Sequence, residues 1–203
     1  MWRSTIIVLL FLGLFHQSWA EDFIQGKDYI LLSVQSPHSA EKKQIVEFFS
    51  FGCRACFNLE TRLEPWIKNH AAEVTFLRNP VIFHPDWEVY ARAYYIAQSL
   101  NILPAAFPAI FKAVQEQRIL LHDNESMIKF FIQTLHADQE LVTSAFLHAT
   151  GIDMQIQKGV DESVAYGIMR IPSFVINNKY KTDLVMAQNP ERLLAIMNEL
   201  VKK

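Results

Sequence analysis

Cysteine is scarce in this chain: of 203 residues only Cys53 and Cys56 carry a thiol, and they lie three positions apart. That excludes the multiply cross-linked scaffolds that let small exported chains manage without a large core. Charge of one sign is also missing, with 19 Lys and Arg against 21 Asp and Glu and a formal net charge of −2. There is no basic patch signature and no acidic tail, so nucleic acid is not an expected partner. No period repeats, no segment is of low complexity, and after residue 20 no apolar run approaches the roughly 18 to 20 residues that cross a bilayer.

The N-terminus does carry a signal. Arg3 is followed by the apolar run Ile6 to Phe15, and Ser18-Trp19-Ala20 stands just before Glu21-Asp22. This is the layout of a secretory signal peptide, with small residues where a signal peptidase cuts. Cleavage is expected after Ala20, giving a soluble exported chain. An uncleaved anchor is the alternative, and the lack of a cysteine after Ala20 argues against a lipoprotein. Without Arg3, 18 basic residues face 21 acidic ones. Residues 21–203 suffice for a sizeable core, as one compact domain or one domain with an insertion.

Gln44 to Phe51 is a nearly continuous apolar run closed by Gly52, which predicts a strand buried on both faces. After Cys53, the residues Cys56, Leu59, Leu63 and Trp66 recur at helical spacing. Pro65 should kink that helix or restart it. Val74 to Leu77 is the next strand, making a βαβ unit with a right-handed crossover. Near the other end, Pro172 to Ile176 and Lys179 to Lys181 flank Asn177-Asn178, which tolerate positive φ and predict a hairpin. Asn189 as cap, Pro190 at the first position and Leu193, Ile196, Met197 and Leu200 predict a final amphipathic helix. Helical patterns fill the space between over 87–100, 104–121, 125–135, 138–148 and 153–166. Their apolar residues, including Trp87, Tyr94, Phe107, Phe111 and Phe131, are expected in the core, with some free to line a peptide groove. The simplest topology is a βαβ half, an all-helical insertion and a ββα half that completes one sheet.

The two cysteines make a poor staple. Closing so short a loop constrains the unfolded chain by about 2 kcal/mol, against about 3 for a fifteen-residue loop. Zinc would require about four ligands. No second cysteine pair exists, and His38, His70, His84, His122, His136 and His148 show no short ligand spacing. The redox reading has a mechanism: a thiolate at a helix N-terminus is stabilised by free backbone N–H groups and the helix dipole. Cys53 is then the exposed nucleophile, and Cys56, one turn later and facing inward, is placed to resolve a mixed disulfide. Arg54 adds a nearby positive charge that favours the thiolate, unless it is simply a solvated surface residue. Glu47 is costly inside an apolar strand unless it lies at an edge facing water, so it is a candidate proton relay to Cys56.

The run Glu47-Phe48-Phe49-Ser50-Phe51-Gly52-Cys53-Arg54-Ala55-Cys56, the stretch Arg170 to Tyr180 and the helical region between them together resemble the DsbA family of thiol:disulfide interchange proteins. Gly26-Lys27-Asp28-Tyr29 also resembles that family's first strand. The resemblance implies an α/β thioredoxin fold with an inserted all-helical domain. It divides the chain into a signal peptide at 1–20, thioredoxin-like parts at 21–82 and 160–203, and a helical insertion at 83–159. It further implies a periplasmic monomer without cofactor beyond its own redox-active disulfide. Such a protein donates that disulfide to reduced exported polypeptides and is reoxidised by a DsbB-like quinone-linked membrane oxidase. Arg78 is placed near Glu47 by the same likeness, and Pro172 follows a cis bond against the disulfide, with Ile171 offering backbone groups to an extended peptide.

The departure from the family pattern is Arg54-Ala55, where the best-known members have Pro-His, and it falls where thiolate stability and oxidising strength are set. Two other activities fit the residues: an isomerase or reductase of the same fold, and a peptide-binding chaperone whose cysteine pair is not catalytic.

Overall fold

A computed structural model describes residues 22–33 and 43–203; the expected signal peptide lies outside them. Five strands form one sheet in the order β1-β5-β4-β2-β3, namely β1 (Ile30–Leu31), β2 (Lys43–Phe49), β3 (Val74–Pro80), β4 (Ser173–Ile176) and β5 (Tyr180–Asp183). β2 pairs parallel with β3 and antiparallel with β4, so it is an interior strand. Its apolar run needs cover on both faces and receives it. Ile45 packs with α1 (Arg54–His70) and α8 (Pro190–Leu200) through Leu59, Leu63, Leu193 and Ile196. Val46 and Phe48 meet Val81, Ile168 and Val175 on the other face. Between β3 and β4 come α2 (Glu88–Ser99), α3 (Leu103–Phe111), α4 (Asn124–Thr134), α5 (Gln139–His148) and α6 (Thr150–Ala165). Their core, with Tyr94, Phe107, Phe111 and Phe131, extends to Phe49, Phe51 and both cysteines.

The hairpin turn has Asn177 at φ 52° and Asn178 at φ 51°, the left-handed pair that a two-residue connection demands. After the short α7 (Leu184–Ala187), Asn189 caps α8 by accepting the Arg192 N–H at 2.8 Å. Both elements follow the sequence reading.

Two expectations are corrected, and two left open are decided. Gly26 to Tyr29 is a turn rather than a strand: Gly26 has φ +85°, the Lys27 and Asp28 N–H groups donate to the Ile24 carbonyl, and pairing starts only at Ile30. The turn is anchored by Arg192, whose guanidinium meets the buried Asp28 carboxylate at 2.7 Å. Pro65 neither restarts nor ends α1, which runs through it. Leu63 and Trp66, buried on either side of it, hold the helix against the sheet despite the lost N–H. The helix expected over 104–121 stops early, because Lys112–Glu116 widens into a π turn and Arg118, at φ 57°, reverses the chain. Lastly, Glu47 is fully buried in the interior strand β2, which decides for the costly position against the edge facing water.

α6 is seated on the outer strand β3 by Asn79, which donates through Nδ2 to the Gly159 carbonyl and to Glu162, both at 3.1 Å. A Cβ at position 159 would stand 2.6 Å from Asn79 Oδ1 and 2.8 Å from the Tyr95 hydroxyl. Gly159→Ala should therefore lose about 1–3 kcal/mol of stability through overpacking, read from urea unfolding, even though alanine is the better helix former.

Candidate active site

The chain leaves β2 through a tight turn in which the Cys53 N–H donates to the Ser50 carbonyl at 3.0 Å and the Gly52 N–H to Ser50 Oγ at 3.1 Å. Gly52 is required by contact: a Cβ there would lie 2.6 Å from Trp87 Cε2. Cys53 then occupies the N-cap of α1, with extended backbone angles. Its sulfur takes the place of a capping oxygen and accepts the Cys56 N–H at 3.2 Å. The Cys56 thiol also donates to it, Sγ to Sγ 2.7 Å. Both residues are free cysteines.

Cys53 is less open than the sequence suggests, at 9 % exposure, and Cys56 has none. Their acidities are driven apart. The Cys56 thiol bonded to it, aided by backbone N–H groups of Cys56 and Ala55, holds Cys53 below the ordinary thiol value against the opposing effect of burial. Burial foremost, then the neighbouring Cys53 and the charge of Glu47, pushes Cys56 well above it. Two like groups with separated acidities are suited to separate roles.

The peptide bond between Ile171 and Pro172 is cis, and it brings the Ile171 carbonyl to 3.9 Å from Cys53 Sγ. Arg54 points the other way. Its Nη1 donates to the Gln115 carbonyl at 2.6 Å, and its guanidinium lies 5.5 Å from the Phe57 ring centre. Ala55 is half-buried against the helical core.

Beneath the cysteines lies a charged cluster. The parallel register sets Arg78 of β3 beside Glu47 of β2, and Arg78 Nε donates to Glu47 Oε2 at 2.8 Å. The other Glu47 oxygen has no hydrogen-bond partner among the described residues. Glu60, one helical turn after Cys56, shares the same guanidinium at 3.0 Å. Phe107 stacks against Arg78 at 4.1 Å. Burial raises the Glu47 pKa although Arg78 opposes it. Burial, with the charge of Glu47, pushes Glu60 up to about 8. A cavity of about 790 Å³ between α1 and α3 reaches Glu60 and Arg78 from outside.

Thus the residues expected at the site fall into three neighbouring groups: the cysteines with Ile171 and Pro172, the Glu47–Arg78 pair below, and Arg54-Ala55 at the start of α1. Sequence reasoning missed Glu60 and Gln115. Glu60 had a visible signal, a carboxylate four residues after Cys56 and thus on the same helix face. Gln115 had none, since nothing in the pattern 104–121 marks a π turn. Among the described residues no group of three or more His, Cys, Asp or Glu is gathered as metal ligands.

The family description Thioredoxin matches residues 38–199. The thiol:disulfide interchange protein DsbA of Pseudomonas aeruginosa is 30% identical over 185 residues, covering 91% of this chain and 87% of its own. The chain belongs to the DsbA family. A crystal structure of the Pseudomonas aeruginosa DsbA superposes with a TM-score of 0.82 at 29% identity, covering 89% of this chain and 93% of that one. A Proteus mirabilis DsbA variant, solved with the non-covalently bound peptide PWATCDS, gives a TM-score of 0.75 at 24% identity over 90% of this chain and 100% of its own. The fold is accordingly the thioredoxin fold with helices inserted between β3 and β4, and the DsbA family makes this chain a thiol-disulfide oxidoreductase.

The burial of Glu60 beside Glu47 gives a pH signature. The unfolded chain releases the Glu60 proton near 4.5, whereas the folded one keeps it to about 8. Between those values the native state binds more protons, so this contribution to stability is complete at low pH and is lost as pH rises through the window. Glu60→Gln, which cannot ionise, should gain stability relative to the wild type as pH rises from 5 to 8 in urea titrations. Parallel pH profiles for the two proteins would refute the assignment.

Proposed function

We propose that the protein is a periplasmic dithiol oxidase that passes a Cys53–Cys56 disulfide to reduced exported polypeptides. The observation that carries this reading is the helix-capping sulfur of Cys53, favoured as thiolate, beside a Cys56 favoured as thiol. A substrate thiolate attacks Cys53 Sγ, the bond to Cys56 breaks, and Cys56 leaves as a thiolate that takes up a proton. The substrate's second thiolate then attacks its own sulfur in the mixed disulfide and expels Cys53. Two electrons have moved from the substrate dithiol to the pair. A good leaving group at Cys53 makes that release favourable, and a stabilised thiolate stabilises the reduced enzyme, so the disulfide is a strong oxidant.

In this reading Glu47, held by Arg78, supplies the proton to Cys56. The buried carboxyl has a raised proton affinity and acts electrostatically on both cysteines. The likeness to a Proteus DsbA solved with a bound peptide supports peptide binding by this chain, and Ile171 and Pro172, beside Cys53, form the wall against which an extended peptide lies. Arg54 and Ala55 tune the thiolate. The thioredoxin-like parts are residues 21–82 and 160–203, and 83–159 is the insertion. Export through the N-terminal signal, action as a monomer, and reoxidation by a DsbB-like quinone-linked oxidase complete the proposal.

Cys56→Ser should accumulate mixed disulfides on Cys53, visible as reductant-sensitive adducts in non-reducing gels. Cys53→Ser should accumulate none. Adducts on Cys56 in the latter would reverse the assignment. Equilibrating the wild-type pair with glutathione fixes the direction: a pair as reducing as that of thioredoxin would replace the oxidase with a reductase.

A further inference from the structure

Gln115 takes no part in the exchange chemistry above, yet it is a polar side chain only 6 % exposed within the π turn of the insertion. Its Nε2 donates to the Phe51 carbonyl at 2.7 Å. Its own carbonyl accepts the 2.6 Å bond from Arg54. Phe51 precedes Cys53 by two residues and Arg54 follows it directly. One residue of the insertion therefore grips the chain on both sides of the reactive sulfur.

The π turn explains why the carbonyl is available. The Gln117 N–H donates to Lys112 and the Ile119 N–H to Ala113, at 3.0 and 2.9 Å, and the chain then reverses at Arg118. The Gln115 carbonyl is left at the C-terminal end of the helix, where unpaired carbonyls collect partial negative charge. A guanidinium is its fitting partner, and such charge-assisted bonds are the stronger kind.

We propose that Gln115 is a positioning residue for Cys53, through which the helical insertion sets the redox equilibrium of the cysteine pair. The inference rests on the oxidoreductase reading. The Cys56 N–H reaches Cys53 Sγ only while the turn before α1 and the first turn of α1 keep their relative orientation. Gln115 fixes the turn through Phe51 and the helix start through Arg54. Without the side-chain bond, the Phe51 carbonyl is free to swing its negative end toward the sulfur and the N–H contact loosens. Both changes disfavour the thiolate. Arg54 in turn acts through this clamp rather than as a solvent-screened charge beside Cys53.

The test is a cycle on the full chain: wild type, Gln115→Ala, Arg54→Met and the double variant, with methionine keeping the apolar contact to Phe57. Each is equilibrated with glutathione, and Cys53 ionisation is followed by thiolate absorbance against pH. Each single variant should make the pair about three- to tenfold less oxidising, the range of one lost hydrogen bond, and shift thiolate formation to higher pH. The double variant should do less than the sum of the single ones, because the Arg54 bond to the main-chain carbonyl of residue 115 and the side-chain bond to Phe51 are two halves of one clamp. High salt should leave the Arg54→Met effect in place, whereas a charge acting through solvent would be screened. Gln115→Met, close in volume but without the donor, gives the same readout if Gln115→Ala fails to fold. Fully additive effects overturn the proposal. So does a well-folded Gln115 variant that titrates as the wild type and equilibrates within twofold of it, with only its stability reduced. A wild-type pair that does not exchange with glutathione at all refutes the oxidoreductase reading instead.

Discussion

A sulfur stands where a helix ordinarily takes an oxygen cap, and the rest of the site is arranged around that substitution. The first N–H groups of α1 have no partners within the helix. Cys53 Sγ accepts one of them. A thiolate there gains a charge-assisted bond and the favourable end of the helix dipole, whereas a sulfur bonded to Cys56 gains far less. The preference for the reduced state is therefore built into the backbone. It requires a turn that presents Cys53 at the cap, and that turn depends on Ser50, on the missing Cβ of Gly52 under Trp87, and on Phe51 being held from the insertion.

Below the cap, burial works on carboxylates in the opposite direction. Glu47 and Glu60 share one guanidinium, so two negative charges face one positive charge in a poorly solvated place. The cluster relieves the excess by retaining a proton, which is how a carboxyl can hold a proton to give at neutral pH. Arg78 contributes geometry as well, because Phe107 of the insertion closes over it. Near the site, insertion and sheet thus meet at Arg78 and Gln115, around an aromatic contact among Phe49, Phe51, Phe107 and Phe111, and farther along β3 at Asn79.

Much of this was legible in the sequence where one local signal decided the structure. The apolar run before Cys53 read as an interior strand, the Asn177-Asn178 pair as a tight turn, and Asn189-Pro190 as a helix start. Reading failed where tertiary contacts outvoted local preference. Pro65 leaves a kink or a break open, and the packing of Leu63 and Trp66 carries the helix through it. The pattern over 104–121 reads as one helix, and its π turn is invisible in a list of residue types. The site was legible in its sulfur chemistry and in Glu47, because a carboxylate in an apolar strand is conspicuous. Gln115 was not, because an ordinary helical glutamine becomes informative only when its partner, 64 residues away, is known.

The sheet register also has a consequence for synthesis. The interior strand β2 pairs on one side with β3, which follows soon after it in the chain. On its other side it needs β4, from Glu47↔Phe174 and its neighbours, and β4 emerges only after the whole insertion. Until β4 is made, one edge of β2 has no hydrogen-bonding partner and Cys53 has no Ile171 beside it. An incomplete chain is then at once a sticky edge and an unguarded thiol. The Ile171 carbonyl beside Cys53 is thus among the last parts of the site to arrive.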